Sequence, residues 1–207
     1  MKIIGKVLES PAIWALSQAI FGCDVEKRRL YRSVFRETGR LLDFGCANGN
    51  TFPAFDDFEY YGVDINTRLI NDARKKYASF SNAHFINADM LDKPFKPEYF
   101  DYVLFSCTGH HLEDRVLYSI MKELDYVLKP GGKLYFFDTI IQPGKDSLFL
   151  KLMNRLDQGK FIRDESTYRN IAGSFSQHLN PRRTDVLKIS GTFLPQPAYF
   201  YAEFEKI

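Results

Sequence analysis

The sequence predicts an α/β protein: an open, doubly wound sheet, mostly parallel, with an antiparallel hairpin at one edge. Three observations carry this reading. Short apolar runs alternate with segments of helical periodicity from about residue 40 to about residue 138. The first run ends in a glycine-rich turn, Gly45-Cys46-Ala47-Asn48-Gly49. The last two runs are joined through Pro195 and Pro197 by a connection too short for a crossover. They pair antiparallel, whereas repeated strand–helix–strand units bring the chain back to the same end of the sheet and pair parallel.

The elements follow in order. Ser10-Pro11 opens a helix, serine as cap and proline at the first position, and Gly22 ends it. A second helix runs from about Asp24 to Glu37 and stops at Gly39. Leu41-Leu42-Asp43-Phe44 is the first strand. Tyr60 to Asp64 is the second, ending in a carboxylate. Residues 67–78 place Leu69, Ile70, Ala73 and Tyr77 on one helix face. Ala83 to Asn87 is the third strand. Tyr99 to Ser106 is the fourth, and its run Tyr102-Val103-Leu104-Phe105 implies burial on both faces. Between 113 and 128, Leu117, Ile120, Met121, Leu124, Val127 and Leu128 recur at helical spacing, and Pro130-Gly131-Gly132 terminates the helix. Lys133 to Asp138 is the fifth strand. Asp164 caps a later helix with Tyr168, Ile171, Ala172 and Phe175 on its apolar face. The terminal strands fall at roughly 184–192 and 198–206.

Length and composition suit one domain. The chain has 207 residues, 45% apolar and 26% charged, with no repeat or low-complexity tract. No stretch approaches the roughly 20 apolar residues needed to span a bilayer. The N-terminal apolar run is too short for a secretory signal, so the expected location is cytoplasmic, with no membrane partner. The 28 basic residues nearly balance the 26 acidic ones, for a net charge of +2, which argues against a nucleic-acid partner. The small clusters Lys27-Arg28-Arg29 and Arg74-Lys75-Lys76 read as solvated helix faces. Cys23, Cys46 and Cys107 form no Cys-x-x-Cys pair, pointing to a reducing compartment and no metal site.

In such a sheet, ligands bind at the carboxyl ends of the strands. Four features fall there. The turn 45–49 lets the backbone approach a ligand closely. Asp64, about twenty positions beyond Asp43, is placed to hold ribose hydroxyls. Asp89 after the third strand can accept from an adenine amino group, and Met90 can cover the ring face. Ser106-Cys107-Thr108-Gly109-His110-His111 leaves the fourth strand. The dinucleotide fingerprint Gly-x-Gly-x-x-Gly is absent, since Ala47 and Asn50 stand where glycines belong, which disfavours a dehydrogenase. No Walker lysine pattern occurs.

Taken with Tyr61-Gly62-Val63-Asp64, Ala88-Asp89 and Leu128-Lys129-Pro130-Gly131-Gly132, this series resembles the class I S-adenosylmethionine-dependent methyltransferases. His110-His111-Leu112 and the 157–163 segment resemble, more narrowly, a mostly uncharacterised bacterial group of the type 11/12 kind. That group usually has arginine where Gln158 stands. The resemblance implies a Rossmann-like seven-stranded sheet in the order 3-2-1-4-5-7-6, residues 1–207 as a single domain, residues 1–38 as a helical cover and 139–181 as a substrate-side insertion. Ala47, where the family more often has glycine, is tolerable if its φ stays negative.

The resemblance also implies site roles. The cofactor is S-adenosylmethionine, its binding residues being Gly45, Cys46, Ala47 and Gly49 beside the methionine part with Asp43 supporting that loop, Asp64 on the ribose, Ile65 on the adenine face, Asp89 and Met90 at the adenine end, and Ser106 and Cys107 by the methionine. His110 and His111 are the candidate catalytic residues, an imidazole taking a proton from a hydroxyl nucleophile. The bland alternative is one histidine bracing the loop and the other packing inward. Asp157, Lys160, Arg163 and Tyr168 either face the substrate or form surface ion pairs. Trp14, Gln18 and Tyr31 either face the cofactor or pack as core, and Tyr199, Phe200 and Tyr201 either edge a pocket or fill the core. Cys46 and Cys107 read as small buried thiols. The expected activity is methyl transfer to a small molecule or saccharide at oxygen, a displacement that requires no metal. The alternatives are an RNA or protein methyltransferase, or a binding protein without turnover. The acceptor and the oligomeric state are not legible.

Overall fold

A computed structural model describes residues 24–156, 159–188 and 197–207. The elements are α1 (Asp24–Val34), β1 (Arg40–Phe44), β2 (Glu59–Asp64), α2 (Thr67–Lys76), β3 (Ala83–Asn87), β4 (Phe100–Ser106), α3 (Asp114–Val127), β5 (Leu128–Ile141), α4 (Leu148–Leu156), β6 (Arg163–Asp164), α5 (Glu165–Ser174), β7 (Leu179–Lys188) and β8 (Ala198–Lys206). The predicted helix at 10–22, with Trp14 and Gln18, lies outside the described residues, as do Cys23, Asp157 and Gln158.

The sheet runs β3-β2-β1-β4-β5-β8-β7, with β6 paired to β5. The first five strands pair parallel, and β8 joins β5 and β7 antiparallel. This is the predicted order with one strand added. The predicted sixth and seventh strands are β7 and β8. The two-residue β6 is too short to leave a periodic signal. Nor was α4 anticipated within 139–181. Strand β5 begins at Leu128 rather than Lys133, because Leu128 pairs with Phe100 before the register shifts at Tyr102. The Pro130-Gly131-Gly132 run is therefore an irregularity inside the strand. Strand β7 begins at Leu179, five residues before the predicted start, opposite Lys206.

The central strands are buried on both faces, which explains their unbroken apolar runs. Along β4, Val103 and Phe105 join one core layer and Leu104 the other. The first layer packs Leu117 and Met121 of α3 and Tyr168 and Ile171 of α5 against Phe105, Phe136 and Phe200. The second is dominated by rings: Phe35, just beyond α1, lies 4.8 Å from Phe55 and 4.3 Å from Tyr135, and Phe52 lies 4.7 Å from Tyr77. Tilted and edge-on aromatic pairs add to simple area burial. They seat α1 on the sheet, with its N-terminal half toward the strand tips.

One glycine of this layer positions the loop above it. A Cβ at Gly62 would lie 2.8 Å from Cys46 Sγ and 3.0 Å from ring carbons of Phe85 and Tyr60. Gly62→Ala is expected to force the loop after β1 off the sheet and to destabilise the fold by about 1–3 kcal/mol. Denaturant unfolding measures this, and an unchanged midpoint would contradict the packing described.

Candidate functional site

The chain leaves β1 through a turn held down on its neighbour: Gly45 and Cys46 both donate N–H to Val63 O, at 2.8 and 3.2 Å. Gly45 has φ +78°, and a Cβ there would stand 2.2 Å from Thr108 Oγ1 in the loop after β4. Only glycine lets the two loops approach this closely. Ala47 has φ +49°, not the negative value that the sequence reading required. The left-handed conformation costs an L-residue roughly 1–2 kcal/mol. What holds it is a hydrogen bond from Ala47 N to Asp64 Oδ2 at 3.0 Å. The other oxygen, Oδ1, accepts Asn66 N at 2.8 Å. One carboxylate thus ties the loop after β1 to the start of α2. Burial raises the Asp64 pKa, and the two N–H donors oppose that rise. Each oxygen keeps acceptor capacity for a further donor.

Asp43 stands behind this turn and does not reach the surface, being 2% exposed. Its Oδ2 accepts both Thr51 Oγ1 and Tyr60 Oη. It braces the loop from beneath, the supporting role the sequence reading gave it. Burial pushes its carboxyl up to about 6, against the two hydroxyl donors. Cys46 is a buried thiol whose pKa burial raises well above the ordinary value. Its side chain packs over Gly62, so only its backbone faces the tips. Asn48 is buried, donates to Asp72 Oδ2 at 3.2 Å, and among the described residues leaves its own Oδ1 without a partner.

At the tip of β3, Asp89 is exposed and caps the turn Met90–Asp92, Oδ1 accepting Leu91 N at 2.9 Å. The Met90 side chain corrects an expectation. It is 1% exposed within the core and cannot cover a ring outside. The exposed apolar side chains beside these tips are Ile65, 73% exposed, and Leu91.

At the tip of β4, Ser106 Oγ and Tyr31 Oη lie 2.5 Å apart, and Ser106 Oγ lies 3.6 Å from Cys107 Sγ. Cys107 is half-buried, with φ +50° and its N–H on Phe137 O. The basic cluster 27–29 is not a solvated face as a whole. Lys27 lies over the Tyr199 ring and Arg28 Nη1 donates to Asn50 O, while Arg29 is exposed. Arg74, Lys75 and Lys76 are exposed as expected.

The two histidines differ. His110 is buried, its Nδ1 2.5 Å from Oδ1 of Asp138, a fully buried carboxylate that also accepts Tyr168 Oη at 2.8 Å. Burial and the Asp138 charge push the Tyr168 phenol far above its ordinary pKa. His111 is exposed, its ring 4.2 Å from that of His110. Arg163 fixes this turn from across the chain. It is buried and donates to the carbonyls of Gly109, Leu112 and Phe161 and to Asp114 Oδ1. Arg163 is therefore neither a surface ion pair nor exposed to a substrate, and Tyr168 is likewise internal. Of the pocket candidates at the C-terminus, Phe200 and Tyr201 are core, and Tyr199 lies under Lys27. The sequence reading missed Asp138 and the bracing role of Arg163. Among the described residues, no helix is long and apolar enough to cross a membrane.

A family model described as a methyltransferase domain matches residues 42–136, which span the turn, both carboxylate tips and the histidine loop. Residues 42–136 are thus similar to a methyltransferase domain, and the chain resembles the class I methyltransferases. The donor of this class is S-adenosylmethionine. The chain is 34% identical over 113 residues to protein ECU09_1500 of Encephalitozoon cuniculi, covering 53% of this chain and 50% of that one. It is 28% identical over 121 residues to the demethylmenaquinone methyltransferase of Staphylococcus aureus, covering 56% and 49%. The chain thus spans about half the length of these curated relatives. In fold it is similar to a SAM-dependent methyltransferase from Aquifex aeolicus, with TM-score 0.67, 16% identity, and 98% and 96% of the two chains covered.

The Asp43 carboxyl has a pH consequence. Its folded-state pKa of about 6 lies above the unfolded value near 3.8, so the folded state holds the proton more tightly. This group's contribution is largest below about pH 4 and is lost as pH rises to about 6, an effect of up to about 3 kcal/mol. Asp43→Asn removes that slope. The stability difference between wild type and variant is expected to shift in favour of the variant between pH 4.5 and pH 7, measured by urea unfolding. A difference independent of pH would contradict the assignment.

Proposed function

We propose that this protein transfers a methyl group from S-adenosylmethionine to a small-molecule or saccharide hydroxyl. The observation that carries the reading is the row of groups along the carboxyl edge: Asp89 and Leu91 at β3, Asp64 and Ile65 at β2, the 45–49 turn at β1, and Ser106 and Cys107 at β4. The row fits an adenosyl group in chemistry and order. Asp64 retains lone pairs for two ribose hydroxyls, and the free oxygen of Asp89 is an acceptor for an adenine amino group. Ile65 and Leu91 supply the apolar cover that Met90 does not.

When bound, S-adenosylmethionine supplies an electrophilic methyl on a sulfonium sulfur. The protein's work is alignment and exclusion of water. In this reading His111, the solvent-facing imidazole, accepts the proton of the attacking hydroxyl. His110 is a positioning residue, its ring fixed by Asp138 and its loop by Arg163. On the acceptor side, the carboxyl edge continues past β4 to a cleft of about 330 Å³ at the end of β5, lined by Ile141, Gln142, Lys145, Asp164, Glu165 and Arg169. Residues 139–181 are then the substrate-side insertion, stapled to the histidine loop by Phe161 N on His110 O at 2.9 Å. The small-molecule class is supported by the nearly neutral net charge and by the quinone precursor named for the Staphylococcus aureus relative.

Calorimetry with S-adenosylhomocysteine tests the donor site. Wild type is expected to bind, and Asp64→Ala to lose at least about tenfold in affinity through the missing charge-assisted hydrogen bonds. No binding by folded wild type would end the reading. Once an acceptor is found by screening with labelled donor, His111→Ala is expected to lower kcat by about 10²–10⁴ with unchanged S-adenosylhomocysteine affinity. An unchanged kcat would remove His111 from the chemistry.

A further inference from the structure

Strand β5 leaves the sheet through a tight turn into α4. Gln142 N donates to Asp146 Oδ2 at 2.8 Å, and Lys145 N and Asp146 N both donate to Gln142 O at 3.0 Å. Ser147 caps the helix, its Oγ accepting Leu150 N at 3.2 Å. The helix then opens on three apolar residues, Leu148-Phe149-Leu150. Among the described residues, Leu148 is the most exposed large apolar side chain, at 84%. Phe149 and Leu150 are half-buried, yet neither joins a core layer.

Two cations flank this apolar turn. Lys151 lies three positions beyond Leu148 and shares its helix face, and Lys145 lies three positions before it, in the turn. Both are exposed, and neither has an ion pair among the described residues. The neighbouring acids are occupied. Asp146 is turned inward on Gln142 N, Asp164 accepts Thr167 N at 2.8 Å, and Glu165 pairs with Arg169. An apolar turn with lysines on either side suits the boundary between headgroups and acyl chains, where long lysine stems let the ammoniums stay in water. A peptide partner would need a groove or a strand edge. This segment presents a helix start instead.

We propose that the turn 142–147 and the first turn of α4 dock on an anionic lipid surface, Leu148 entering the acyl boundary and Lys145 and Lys151 meeting the headgroups. The docking is peripheral and needs no spanning segment. It departs from the expectation of no membrane partner, which rested on the lack of such a segment. The acceptor cleft shares Gln142 and Lys145 with this turn, so docking sets its mouth at headgroup depth. That consequence rests on the acceptor-side reading above, and the docking itself does not.

Co-sedimentation with vesicles tests it, using phosphatidylcholine alone and an equimolar mixture with phosphatidylglycerol. Wild type is expected to bind the mixed vesicles at least about tenfold more tightly and to lose that preference in high salt. Leu148→Ser is expected to weaken mixed-vesicle binding by roughly tenfold or more, and Lys151→Gln by about fivefold. Both side chains are exposed, so the unfolding midpoint and S-adenosylhomocysteine affinity stay unchanged. No preference for the mixed vesicles, or undiminished binding by the double variant, would overturn the proposal. So would a lipid-free dimer that Leu148→Ser abolishes, because the face then belongs to a second copy. Binding of an oligoglutamate peptide in place of vesicles would assign the lysines to an acidic protein and overturn it likewise. Vesicle binding that persists in folded wild type unable to bind S-adenosylhomocysteine would overturn the donor-site reading and leave the docking standing.

Discussion

One carboxylate organises the site. Asp64 ends β2, takes the N–H of Ala47 on one oxygen and that of Asn66 on the other, and so fixes two loops to one strand tip. The first bond holds a non-glycine residue at positive φ, in the turn that lies against Thr108. Without it the turn has no evident reason to keep that conformation, and the tips of β1 and β4 lose their close approach. The same oxygens face the adenosyl group in the proposed reading. The group that shapes the loop is then also the group that meets the ligand, and folding and binding draw on one carboxylate.

The remaining acids divide by depth. Asp43 and Asp138 are buried and serve other residues: one holds Thr51 and Tyr60 beneath the turn, and the other holds His110 and Tyr168 beneath the histidine loop. Asp64 and Asp89 lie at the tips with acceptor capacity to spare. This layering suits a displacement in which alignment does most of the work, because the loops at the tips of β1 and β4 are each backed by a buried carboxylate. Arg163 extends the scheme by tying the histidine turn to the segment after α4 through the carbonyls of Gly109 and Leu112 and through Asp114. Burial would lower its pKa, and the bonds to Asp114 and Tyr168 reverse that, so the latch stays charged.

Much of this architecture was legible in the residues. The parallel strands read clearly because burial on both faces leaves unbroken apolar runs such as Tyr102-Val103-Leu104-Phe105. The strand-tip carboxylates read clearly because their spacing follows from the strand–helix–strand repeat. What was not legible depends on contacts distant in sequence. Arg163 meets Gly109 and Leu112 only after the chain has crossed the sheet, and Asp138 looks like any strand-end acid until His110 is set against it. Strand β6 exists only because two residues fall beside Ile140 and Ile141. Met90 and Ala47 fail for local reasons. A turn buries the first side chain, and a hydrogen bond from Asp64 overrides the backbone preference of the second. Lys27 read as part of a charge run because periodicity does not show what lies beneath a helix.

The most direct measurement is a crystal structure with S-adenosylhomocysteine. The account predicts both ribose hydroxyls within hydrogen-bond distance of the Asp64 carboxylate while its bonds to Ala47 N and Asn66 N persist. A nucleoside bound away from the tips of β2 and β3, or an Asp64 side chain released from the loop to reach it, would contradict the account.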